Sequence, residues 1–154
     1  TDVSRKLESA DLVTLEVWGT AHQYLAGSQK TVHMGRRPPA DAVESQKMLA
    51  DMYLAAKQAI RVGATSSEVY QAANQAFKSL RGDDYWRRIG ANMGLTFGPV
   101  DMGMTGADAI RAGTPFILQL VEVDPFLVTC CATVLLTDEG VEELTPPLLE
   151  LPEV

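Results

Sequence analysis

The residues able to do chemistry are few. Cys130 and Cys131 are the only cysteines. As neighbours in an extended strand they point to opposite faces and cannot pair without strain, so both are expected as free thiols in a reducing compartment. A thiol becomes a nucleophile when a basic partner lowers its pKa. No such partner is visible in the chain, and a buried, inert cysteine is the alternative. Thr1 is a second candidate, because an N-terminal threonine released by precursor cleavage can use its own α-amine as base; the alternative is that the chain merely begins there. The start without Met fits a trimmed initiator, an artificial boundary or one product of a longer precursor.

His22 and His33 are the only histidines; His33, before the MGRRPP turn, is expected at the surface. Glu122 and Asp124 read as a strand running outward to solvent rather than a carboxylate dyad. Met93, Met102 and Met104 could form an adaptable binding surface or fill core gaps. The pairs Arg36–Arg37 and Arg87–Arg88 read as solvated turns, with an acidic ligand or a partner subunit as the alternative.

The frame around these residues is one domain, 1–154. The chain has 154 residues, 46% hydrophobic and 21% charged. That length can bury roughly 70% of the unfolded surface and form a core without staples. A net charge of −7 opposes attraction to phosphate backbones, so no nucleic-acid partner is expected. No apolar run approaches the ~20 residues of a membrane span, and the first residues are not signal-like, which gives a cytoplasmic expectation.

Alternating β-forming runs at 10–20 and 22–32 predict a strand pair. Asp41 with Glu44 makes a capping-box signal for a helix through about Val62, with Met48, Leu49, Met52, Tyr53, Ala56, Ala59 and Ile60 on one stripe and Gly63 as the stop. Thr65 with Glu68 predicts a second helix through about Leu80, burying Val69, Ala72, Ala73 and Phe77. The stretch 85–106 reads as irregular strand and loop. Strands follow at 115–123, 126–136 and, after TDEG, 141–145, and the proline-rich tail has no regular element. The order argues α+β, with two helices on one face of a mainly antiparallel sheet.

Three phrases, RKLESADLVTLEVWG, AIRVGATSSEVYQAA and VLLTDEGVEELT, resemble landmarks of the pita-bread metallopeptidases and creatinases. That superfamily includes aminopeptidase P, prolidase, methionine aminopeptidase and the metal-free creatinase. The resemblance runs through nearly the whole chain in order. It implies the second half of a two-half pita-bread domain, with Thr1 in the loop that joins the halves. It also implies that a second polypeptide supplies the first half; a reduced domain that folds alone, or as a homo-oligomer, is the alternative.

In the peptidase members two aspartates, a histidine and two glutamates hold two metal ions, which polarise a carbonyl and acidify a bridging water. The resemblance lays these ligands on Val17, Ser28, Ala91, Gln119 and Cys131, and a further substrate-contacting histidine on Gly98. Gly19, Ala26 and Gly27 keep the family's shape. All five ligand positions are substituted, so neither metal nor other cofactor is expected. A shift of one or two residues restores one ligand at most, since Glu16, Glu122 and Asp124 lie near. The implied pocket is neutral and polar: Ser28, Gln119 and Cys131, with Thr129 and Thr133 on the Cys131 face by period-two spacing. His22 takes a position where relatives carry a bulky pocket residue. Creatine is a poor substrate because its glutamate grips fall on Gln119 and Cys131.

Two functions follow from the resemblance. One is a subunit of a metal-independent, creatinase-like enzyme acting on a small C–N containing metabolite, its site completed by the partner half, with Cys131 or Thr1 as possible reacting groups. The other is an inactive pseudopeptidase that binds peptide or protein, as histone-chaperone relatives do. The sequence reading favours the enzyme, because a split domain looks like specialised assembly.

Overall fold

The computed structural model describes residues 4–94 and 97–154. Its nine elements are β1 (Leu12–Ala21), β2 (Tyr24–His33), α1 (Ala40–Ala59), α2 (Ser66–Arg81), β3 (Gly90–Met93), β4 (Phe97–Asp101), β5 (Pro115–Glu122), β6 (Val128–Thr137) and β7 (Gly140–Thr145). The strands form one antiparallel sheet in the order β1-β2-β6-β5-β3-β4, and β7 joins β6 off this path. The α+β expectation, half of a pita-bread fold, describes this architecture.

Both helices lie on one sheet face because each carries one apolar stripe. Met48, Leu49, Met52, Tyr53 and Ala56 of α1 and Val69, Ala73 and Phe77 of α2 are buried with Phe116, Leu118, Leu120, Cys130, Ala132 and Val134 of the two central strands. These strand residues alternate, as one face of a pleated sheet requires. The Thr65 capping box forms as the sequence predicts: Thr65 Oγ1 accepts from the Glu68 amide at 3.2 Å, and the Thr65 amide donates to Glu68 Oε2 at 2.6 Å. Gly82 closes α2 in the left-handed conformation, φ 83°.

Several expectations are corrected. Asp41 does not cap α1: the helix begins at Ala40 behind Pro39, no side chain caps it, and Asp41 lies in the first turn, where its charge meets the positive end of the helix dipole. The helix ends at Ala59, short of Val62, because buried Ile60 turns to an extended conformation, φ −70° and ψ 112°. The stretch 85–106 is strand and loop as expected, with β3 and β4 paired through a register shift between Ala91 and Met93. Gly90 lets β3 approach β5, since a Cβ there would meet the Ile117 carbonyl oxygen. His33 is buried, not at the surface: the chain end crosses over it, with the His33 amide donating to Pro152 O and the Val154 amide to His33 O, both at 2.9 Å, while Nδ1 pairs with Gly35 O.

Candidate functional site

Directly opposed residues of antiparallel strands share a face, so the register sorts the site. Glu16 pairs with Gln29 and Trp18 with Gly27. Gln119 pairs with Cys131, Ile117 with Thr133, and Ala91 with Ile117. Thr31 Oγ1 meets Thr129 Oγ1 at 3.2 Å, and Thr133 Oγ1 donates to Gly27 O at 2.7 Å, which tie β2 to β6 across this face. Glu16, Trp18, Gly27, Gln29, Ala91, Gln119, Thr129, Cys131 and Thr133 therefore belong to the sheet face opposite the helices. We call it the open face.

Val17 and Ser28 do not belong to it. They pair with each other, and Lys30, on their side of β2, pairs with Cys130, whose side chain is in the helix-side core. The expected pocket joining Ser28 to Cys131 and Gln119 is split by the sheet itself. A one-residue shift keeps the eleven-residue spacing and brings the pair onto the open face, at Glu16 and Gly27 or at Trp18 and Gln29. Either choice supplies one carboxylate at most. The sequence signal for this parity was Lys30: a lysine alternating with Gln29 and Thr31 belongs to the less buried side of the strand.

The open face is filled where a ligand would enter. The Trp18 ring lies on Gly27, where any Cβ would meet it, and its indole nitrogen donates to a Glu16 carboxylate oxygen. Behind it, Cys131 is fully buried in a cluster with Met93, Ile117, Trp18 and Leu25. Burial pushes the Cys131 thiol up to about 11, opposed by a hydrogen bond to the Gln29 backbone and reinforced by the Glu16 charge. Cys130, buried against the helices, is pushed up to about 12. Neither is poised as a thiolate. Thr129 and Thr133 spend their hydroxyls on Thr31 and Gly27. Gln29 carries a buried side-chain oxygen with no hydrogen-bond partner, a feature the sequence reading missed.

The other candidates scatter. His22 is exposed at the hairpin tip, where it and Gln23 take positive φ, 51° and 71°, as a two-residue turn between twisted strands requires. Ala91 is buried in β3, and Gly98 falls in β4. Thr1 lies outside the described residues. Glu122 holds the amides of Val123 and Asp124 and stands 3.9 Å from Arg81, so it closes the end of β5 rather than forming a dyad. Met93 and Met102 are buried and Met104 is exposed, so they do not make one surface. Arg37 lies in the turn with its amide on Glu153, and Arg87 stacks over Trp86 at 4.3 Å.

Two closely spaced divalent cations require several hard oxygen or imidazole donors. The positions here offer one carboxylate already bonded to an indole, an amide, an alanine, a glycine and a buried protonated thiol. These residues do not fit a dinuclear centre. Among the described residues no group of three or more His, Cys, Asp or Glu side chains is placed to hold a metal ion. No described helix is long and apolar enough to cross a membrane.

The fold has close counterparts among solved structures. Dipeptidase PepE from Mycobacterium ulcerans superposes with a TM-score of 0.86 at 24% identity, over 97% of this chain and 42% of that one. A dipeptidase from Pyrococcus horikoshii OT3 gives 0.86 at 20% identity, over 97% of this chain and 43% of the other. The N-terminal domain of a FACT complex subunit from Eremothecium gossypii gives 0.77 at 18% identity, over 93% and 36%. The chain thus spans less than half the length of these proteins. A search of curated proteins found no match. The sequence model of metallopeptidase family M24 matches residues 1–118, most of the chain, and the protein belongs to that family.

Proposed function

We propose that this chain is a non-hydrolytic member of family M24 that serves as a peptide- or protein-binding module. The observation that carries the proposal is the Trp18 ring seated on Gly27, with Cys131 buried behind it, on the face where relatives are expected to assemble a catalytic centre. An indole bonded to Glu16 occupies the space, and the remaining groups are neutral or protonated. Such a surface can hydrogen-bond and stack against a polypeptide; it offers no activated nucleophile.

A metal-independent, creatinase-like enzyme completed by a partner chain is the second reading. The unpartnered Gln29 oxygen favours it, because a buried acceptor without a donor is what a small amide or guanidine ligand would satisfy. In that reading the acid or base comes from the partner, since nothing on the open face of this chain is poised to act.

The test is a hydrolysis assay of the intact protein, with any bound partner retained, on Xaa-Pro and other dipeptides and on small amides, with and without manganese. Background rates in every case support the binding module. Metal-stimulated hydrolysis overturns it. Metal-insensitive turnover overturns it in favour of the second reading.

A further inference from the structure

The Trp18 side chain lies on the open face as a ligand lies in a slot. Its ring is half-buried and comes from β1, while the surfaces it covers belong to other strands. The floor is Gly27, where a Cβ would run into the benzenoid carbons, so the ring lies on bare backbone. That backbone is held by β6, through the Thr133 hydroxyl donating to Gly27 O at 2.7 Å. The wall is Met93, Ile117 and Cys131. The polar end is Glu16, an exposed carboxylate that accepts from the indole nitrogen.

An aromatic ring over a strand glycine can serve only to cover it. A second observation points beyond cover. Gln29 lies on the same face, two residues from Gly27 and directly opposite Glu16, and it is 7% exposed with no hydrogen-bond partner for its side-chain oxygen. A buried amide oxygen without a donor is a missing hydrogen bond that costs stability. Trp18 cannot supply it, because an indole has a single N–H and that N–H is on Glu16. The face therefore holds two acceptors and an apolar slot, with an occupant that serves one acceptor.

We propose that this slot is a subsite for the side chain of a tryptophan in a bound peptide, which takes the place of Trp18. The incoming indole lies on Gly27 and donates to Glu16, and a main-chain N–H of the peptide donates to Gln29 Oε1. Trp18 is the internal competitor that covers the slot when no peptide is bound. Phenylalanine would fill the ring volume but bring no donor for Glu16; arginine would meet Glu16 but lose the contacts with Met93 and Ile117. The inference rests on the peptide-binding reading and names the side chain that the open face selects.

The test is a calorimetric titration of the intact protein with N-acetyl-Gly-Trp-Gly-amide and its Phe, Arg and Leu counterparts. The indole N–H signals are followed by NMR in protein carrying isotope-labelled tryptophan, where Trp18 and Trp86 are the only two. The Trp peptide should bind about tenfold more tightly than the others and shift the Trp18 signal while leaving that of Trp86. Glu16→Leu should remove the preference for Trp over Phe. Trp18→Ala removes the competitor and should tighten Trp-peptide binding about tenfold. The titration of the parent protein stands whether or not either variant folds. No binding, equal affinity for the four peptides, tighter binding of the Arg peptide, or a shift at Trp86 alone overturns this inference while leaving the non-hydrolytic reading intact. Cleaved peptide recovered from the mixture overturns that reading, and this inference with it.

Discussion

The helix-backed centre of the sheet and the β1–β2 hairpin obey different constraints. In β5 and β6 the side chains facing α1 and α2 are fully buried, and the opposite face is closed over Cys131 as well. In the hairpin one face carries Trp18 on Gly27 and the other leaves Leu15 and Val17 in water. The centre is a core on both faces; the hairpin is packed on one face and exposed on the other. The contrast locates the packed core in the centre and the exposed apolar surface in the hairpin.

The largest effect that would sharpen this contrast is at the centre. Phe116→Ala removes a fully buried ring from the helix-facing side and should cost about 3–5 kcal/mol in urea unfolding. Leu15→Ala in the hairpin should cost less than about 0.5 kcal/mol. Equal losses would erase the distinction. Glycines offer a second comparison. A methyl group at Gly90 meets the Ile117 backbone, which cannot yield, and Gly90→Ala should destabilise by about 1–3 kcal/mol. Gly27→Ala meets only the Trp18 ring, which can swing outward; it should cost less than Gly90→Ala and change indole fluorescence.

Thr65→Ala, which breaks the α2 capping box, should cost about 1 kcal/mol by the same unfolding assay. A smaller, pH-dependent effect comes from Glu143. Hydrogen bonds from Lys57 and then Tyr53, both at 2.7 Å, hold its carboxyl below the ordinary value of 4.5. The folded state therefore favours the ionised form. The resulting stability is present above about pH 4.5 and is lost as pH falls through the lower folded value. Thermal unfolding of Glu143→Gln should show a weaker acid dependence than the parent protein. Because burial raises both thiol pKa values, neither cysteine should react with a thiol reagent at pH 8 until the protein unfolds.

Much of the fold was legible because its signals are local. The Thr65–Glu68 box, the apolar stripes of the helices and the alternation in β5 and β6 each fix an element within a few residues. The same signals failed where two local solutions compete. Asp41 looks like a cap, yet Pro39 already sets the helix entry, and the aspartate lies just inside, in the first turn. His33 looks like a turn residue, but the last residues of the chain return to cover it, a contact across more than a hundred positions that no pattern announces.

The site was legible in outline only. Val17 and Ser28, eleven residues apart, pair across the hairpin on the Cys130 side of the sheet, away from Cys131, and in a strand one residue decides the face. Val17 and Ser28 consequently lie on the side of the hairpin that carries Leu15 and Lys30, while Glu16, Trp18, Gly27 and Gln29 lie on the open face. Cys131 pairs with Gln119, and its burial under Trp18 depends on how the hairpin packs on β6, which residue types and spacing do not reveal.

The most direct test of the claim that the open face is filled and non-hydrolytic is a titration of the intact protein with manganese and zinc, followed by native mass spectrometry. No divalent ion should be retained by this chain at stoichiometric concentration. Two ions bound per chain would contradict the account and restore a dinuclear centre to the face that Trp18 occupies.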